Sequence, residues 1–268
     1  MHTLRTRFKK DIVTEFLPPA RKTKKQRVVI VCGGMPGFPG KKDILEFYSK
    51  KGFWSFNPRY RGSWESDGKF LTKSPHLDVL DVIDQLPKGF VDLFGGKKYK
   101  VNPDQIFIIG TSFGGPAAIL ASLDSRVTKI ICISPVVDWT KPGRVESIKT
   151  LTKFVADGFG QAYRMSKNGW AKLKSGKFYN PMNHVNNVEG HKILILHAKD
   201  DDVVTYNPVK KFARLTNAKL ITLPRGGHLG SSILLKPRFY KIFTKFIKTN
   251  DKPHHLTNFK ANSKRKIK

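Results

Sequence analysis

The chain has 268 residues, 39% of them hydrophobic and 11% aromatic, which suits one large packed domain and excludes wholesale disorder. With 50 Lys+Arg against 20 Asp+Glu the formal net charge is +30, so nucleic acid, anionic surfaces and acidic substrates all enter as candidate partners. No recognisable nucleic-acid module accompanies that charge, and it reads as basic side chains spread over solvated faces and a tail.

Residues 1–26 are basic and hold one alternating patch, DIVTEF, closed by Pro18 and Pro19, which reads as an edge strand running into a turn. No signal-peptide core and no run of ~20 apolar residues is found, so a cytoplasmic protein without a transmembrane segment is expected. From residue 27 the pattern becomes regular. Apolar runs at 27–32 (RVVIVC), 53–60 (FWSFNPRY), 105–110 (QIFIIG), 129–134 (KIICIS), 192–197 (KILILH) and 218–223 (AKLITL) are too short for helices and rich in β-branched or aromatic residues. They are expected as strands buried on both faces. Cys32 and Cys132 sit inside two of them and are expected as free thiols in a reducing compartment.

Between these runs, KKDILEFYSKK, PHLDVLDVIDQL, GPAAILASL and NPVKKFARL carry helical spacing. Alternation of this sort predicts an α/β fold, a mostly parallel central sheet flanked by helices. Residues 139–190 break the rhythm and are read as a lid or cap inserted between the sixth and seventh core strands. Residues 1–250 then form one domain, and 251–268 a basic C-terminal tail.

In such sheets reactive groups sit beyond the carboxyl ends of the strands. After the 105–110 run, Gly110, Ser112 and Gly114 satisfy G-x-S-x-G at a strand-to-helix turn, the pattern that presents a nucleophilic serine. After the 192–197 run, HAKDDDVV places Asp200, Asp201 and Asp202 in one loop, and after the 218–223 run PRGGH places His228 in the next. The order Ser, Asp, His is the one this type of fold uses. A serine hydroxyl needs an imidazole to take its proton, and the imidazole needs a carboxylate to fix its tautomer. The backbone N–H of Phe113, following the serine, and that of Met35, in the CGGMPG loop after the 27–32 run, are the candidate oxyanion donors. That glycine loop lacks the G-x-G-x-x-G spacing of a dinucleotide site, so no cofactor is implied. His254 and His255 lack spaced partners for a metal.

Across roughly residues 27–248 these segments resemble the α/β-hydrolase superfamily, and within it the prolyl-oligopeptidase-like (dienelactone-hydrolase-like) esterases and peptidases. GGMPG at 33–37 is similar to the family's oxyanion loop, with Gly33 where a histidine is common. PRYRGSWESDGKF at 58–70 resembles its Arg-Gly loop, and SPVVDW at 134–139 its usual post-strand sequence. HAKDDDVV resembles the family's H-G-x-x-D-x-x-V, with Ala198 in place of glycine, and the resemblance selects Asp201 as the triad acid, Asp200 and Asp202 being the flanking alternatives.

A hydrolase domain without the long propeller of true oligopeptidases is expected. A serine esterase acting on small or short-chain acyl esters is therefore expected, with an aminopeptidase or acylaminoacyl-type peptidase as the alternative and a polyanion-binding protein on a hydrolase scaffold as the second. Trp64, Phe113, Trp139, Phe154 and Trp170 are candidates to line the pocket.

Overall fold

A computed structural model describes residues 2–141 and 143–249, so the predicted tail, with His254 and His255, lies outside the described residues. The chain begins with β1 (Leu4–Phe8) and β2 (Ile12–Leu17), an antiparallel hairpin turned at Lys9 and Lys10, both at positive φ. Then follow β3 (Arg27–Cys32), α1 (Lys42–Lys50), β4 (Phe53–Pro58), α2 (His76–Gln85) and a two-stranded ribbon of β5 (Phe90–Val91) and β6 (Lys98–Tyr99). After these come β7 (Gln105–Thr111), α3 (Gly114–Ala121), β8 (Val127–Ile133), α4 (Ile148–Phe159) and α5 (Gly169–Lys174). The chain closes with β9 (Ile193–Ala198), α6 (Tyr206–Thr216), β10 (Lys219–Leu223) and α7 (Pro237–Ile247).

The eight-stranded sheet runs β1-β2-β4-β3-β7-β8-β9-β10. From β4 to β10 every pairing is parallel, and only the N-terminal hairpin and its junction with β4 are antiparallel. The fold is the α/β class expected. Residues 139–190 fall between the sixth and seventh strands of this sheet, β8 and β9.

Strand alternation splits the core into two layers. Val28, Ile30, Ile106 and Ile108 face the layer holding α2, α3 and α6, whereas Val29, Val31, Phe107 and Ile109 face α1 and α7. That explains why these runs are apolar at every position. A strand covered on both sides has no solvent face to make polar.

Two expectations are corrected. DIVTEF is not an edge strand: β2 lies between β1 and β4, and its six residues are all buried, so it needs a neighbour on each side. Leu4–Phe8, not read as a strand, forms that edge. The run at 218–223 is not buried on both faces, because β10 is the opposite edge and stays partly exposed along its length.

Phe243 of α7 anchors the second layer, fully buried with ring centroids 5.2 Å from Tyr48, 6.1 Å from Phe53 and 6.3 Å from Phe107. Phe243→Ala leaves a void where three rings converged and is expected to cost about 3–5 kcal/mol in chemical denaturation.

Candidate active site

Ser112 follows β7 at φ 52°, in the left-handed region that side-chain-bearing residues rarely occupy. The flanking glycines explain how the chain tolerates it. A Cβ on Gly110 would strike the Gly114 carbonyl, and a Cβ on Gly114 would strike the Cys32 and Gly33 carbonyls. The turn is stitched by Ser112 N–H to Ile133 O at 3.0 Å and by Gly115 N–H to Ser112 O at 2.9 Å. Helix α3 begins directly after Phe113, with Pro116 near its start.

The loop after β9 carries three aspartates with three different partners. Asp201, 2% exposed, accepts from His228 Nδ1 at 2.9 Å through Oδ2 and from the N–H of Val203 (3.0 Å) and Val204 (2.9 Å) through Oδ1. Asp200 accepts from the N–H of Gly226 (3.2 Å) and Gly227 (2.9 Å), in the loop that holds His228. Asp202 pairs with Arg144 at 3.1 Å, in the segment 139–190.

Two further side chains back this arrangement and were not singled out from the sequence. Ser134, just past β8 and itself at φ 42°, bonds the Asp201 carboxylate and accepts from Leu229 N–H at 3.1 Å. Its position immediately after a buried strand was the available signal. His197 donates from Nε2 to the Val204 carbonyl at 2.8 Å, closing the loop behind Asp201. Burial holds His197 below the usual histidine range, and so favours its neutral form. Burial alone would push the Asp201 carboxyl up, but the bonds from His228, Val204 and Ser134 outweigh it and hold it below its ordinary 3.8.

Ser112 and His228 open on one cavity of about 390 Å³, which Gly33, Gly34 and Met35 also line. Ser112 Cβ lies 3.3 Å from where a Cβ on Gly34 would stand, so the bare backbone of this loop reaches the serine. Three aromatic side chains fix the loop: Tyr60 OH donates to Gly33 O at 3.2 Å, Trp64 Nε1 to Gly37 O at 3.0 Å, and Gly37 N–H donates to Tyr163 OH at 3.0 Å. Among the described residues, the N–H groups of Met35 and Phe113 have no protein acceptor. Segment 139–190 adds Glu146, Phe154 and Tyr163 to the cavity wall.

Of the aromatic residues expected at the pocket, Trp64 and Phe154 line it. Phe113 and Trp139 instead pack around the buried Tyr179, whose hydroxyl donates to Phe113 O at 2.6 Å, and Trp170 packs against the core. Trp139 faces a second, smaller cavity. Among the described residues no group of three or more His, Cys, Asp or Glu could hold a metal ion, and no helix is long and apolar enough to cross a membrane.

The parallel sheet, its helices on both faces and a serine on a sharp turn beyond a central strand define a serine hydrolase of the α/β-hydrolase fold. The prolyl oligopeptidase family model matches residues 41–252, and the chain belongs to that family. Solved structures agree at the level of fold. An esterase of Pyrococcus furiosus superposes with TM-score 0.65 at 17% identity, over 92% of this chain and 90% of that one. An acylaminoacyl peptidase of Pyrococcus horikoshii gives TM-score 0.64 at 19% identity over 94% of this chain, which spans only 43% of the peptidase. Est1E of Butyrivibrio proteoclasticus, solved with ferulic acid bound, gives TM-score 0.63 at 18% identity over 92% and 100% of the two chains. No curated protein matches the sequence.

Two outcomes follow from the aspartates. A carboxyl whose folded pKa lies below its unfolded one adds stability at higher pH and loses it as pH falls through that depressed value. Acid titration of unfolding is therefore expected to show a shallower loss of stability below about pH 4 in Asp201→Asn than in the parent. Asp200→Ala is expected to speed amide hydrogen exchange at Gly226 and Gly227, while the central strands stay protected.

Proposed function

We propose that the protein is a carboxylic-ester hydrolase that cleaves small or short-chain acyl esters through Ser112, His228 and Asp201. The observation that carries this reading is the 2.9 Å bond from His228 Nδ1 to Asp201, with that histidine facing the same cavity as a serine on a strained turn.

In acylation, His228 Nε2 takes the proton of Ser112 Oγ as Oγ attacks the ester carbonyl carbon. The carbonyl oxygen becomes an oxyanion, and the N–H groups of Met35 and Phe113 donate to it. Collapse breaks the bond to the leaving oxygen, which departs as an alcohol with the proton held by His228. Water then gives a proton to His228 and attacks the acyl carbon. Collapse of the second oxyanion releases the carboxylic acid and returns the proton to Ser112. Asp201 stays ionised throughout, accepting Nδ1–H and stabilising the imidazolium. The scheme calls for no cofactor.

Residues 139–190 serve as a lid over this cavity, a role supported by the wall they contribute. Amide cleavage is the second reading, supported by family membership and by the likeness to an acylaminoacyl peptidase. Ester and amide substrates share one acyl-enzyme route, so the two are separated by rate rather than by machinery. The +30 charge is read as solvated surface, and the buried free thiols Cys32 and Cys132 support a reducing, cytoplasmic setting. Salt-sensitive binding of nucleic acid at about 0.15 M ionic strength would favour the polyanion-binding alternative instead.

Ser112→Ala is expected to abolish both p-nitrophenyl ester turnover and fluorophosphonate labelling, while Asp201→Asn lowers kcat by about 10⁴-fold. Normal turnover in Ser112→Ala would reject the reading. Side-by-side rates on short-chain esters and aminoacyl anilides are expected to favour the esters; faster anilide cleavage would select the peptidase.

A further inference from the structure

The catalytic cavity contains one carboxylate that the acyl-transfer scheme does not use. Glu146 lines it alongside Ser112 and His228, and is half-buried. Burial pushes its carboxyl above the usual range, and the segment that carries it is tied to the aspartate loop, the N–H groups of Arg144 and Val145 donating to Asp202 O at 2.8 and 3.2 Å. Among the described residues its side chain has no ion pair and no hydrogen bond. The cavity's two cations do not neutralise it. Arg59 is held by Glu15 at 2.7 Å and Glu65 at 2.8 Å, and among the described residues Lys41, at the start of α1, makes no ion pair with Glu146.

Beside this carboxylate the cavity offers aromatic rings. Phe38 and Phe154 line it while remaining 70% and 55% exposed, so their rings are accessible to a ligand in the cavity. They belong to one continuous run: Phe38 stands 5.9 Å from Trp64 and 5.2 Å from Phe159, and Phe159 stands 5.8 Å from Phe154. Ring faces attract an organic cation through their quadrupole, and a desolvated carboxylate attracts it through its charge. A neutral aliphatic group would gain only from the rings. Resting on the hydrolase reading above, we propose that the cavity selects substrates carrying an ammonium group near the scissile carbonyl, held by Glu146 and the rings of Phe38, Trp64 and Phe154. The ammonium can stand on the acyl side, as in an aminoacyl ester, or on the alcohol side, as in a choline-type ester. The net charge of the chain opposes cations at long range, but that field is screened beyond about 8 Å at 0.15 M salt, so the local carboxylate decides.

The test uses matched pairs at about 0.15 M salt. An aminoacyl p-nitrophenyl ester is compared with its uncharged acyl isostere, and a choline ester with its 3,3-dimethylbutyl isostere. In the parent enzyme kcat/KM is expected to favour the cationic member of at least one pair by about tenfold. Glu146→Gln is expected to remove that preference chiefly through KM, and the affected pair identifies the side on which the ammonium stands. Calorimetric binding of phenyltrimethylammonium reads the same site without turnover and is expected to be lost in Glu146→Gln. Ser112-dependent turnover with no cationic preference, or a preference unchanged in Glu146→Gln, overturns the proposal and leaves the hydrolase reading intact. Absence of any ester turnover rejects the hydrolase reading, and binding of phenyltrimethylammonium then decides the cation site by itself.

Discussion

Ser112 can hold a backbone at φ 52° because positions 110 and 114 carry no side chain. A methyl group on Gly114 would enter the space of the Cys32 and Gly33 carbonyls, which belong to the neighbouring strand end. The tight turn therefore couples two things, the exposure of the hydroxyl and the close approach of the 33–37 loop that carries the Met35 N–H. Everything reactive in the account lies beyond the carboxyl ends of parallel strands, and β3, β7, β8 and β9 each deliver one piece to the same rim.

The three consecutive aspartates show how one short loop organises that rim. Asp201 faces the imidazole, Asp200 clamps the glycine turn on which the imidazole is mounted, and Asp202 reaches out to Arg144 beyond β8. Without the clamp, the His228 loop would hang from β10, an exposed edge strand with a neighbour on one side only. Ser134 bonds the Asp201 carboxylate from behind and His197 ties down the Val204 carbonyl of the same loop, so Asp201 holds bonds from Val203, Val204 and Ser134 besides the one from the histidine. A carboxylate satisfied in this way has little freedom to turn, which is what a fixed tautomer requires.

Much of this was legible in the sequence because its signals are local. A six-residue run buried on both faces reads as apolar throughout, and the G-x-S-x-G turn, the aspartate loop and the Gly-Gly-His loop each follow such a run. Choosing Asp201 among three neighbours drew on the family's spacing, since composition alone does not distinguish them. The N-terminal hairpin is hidden in the sequence because its turn is Lys9-Lys10 rather than an Asn-Gly pair, and β1, LRTRF, offers two arginines where an apolar face is usual. Those cations are absorbed by Glu15, Glu65 and Asp67, partners that only the folded chain brings near. Glu146 was invisible for a related reason. It sits in a long crossover without strong periodicity, and nothing in GRVESI distinguishes a cavity carboxylate from a solvated one.

The central claim is that the acyl group of the substrate passes through Ser112 Oγ. Acid quenching during turnover of a slowly deacylated ester, followed by peptide mapping, measures this directly. The account predicts a single acyl adduct on Ser112. An adduct on a different residue, or turnover with no covalent species at any quench time despite a pre-steady-state burst, would contradict it.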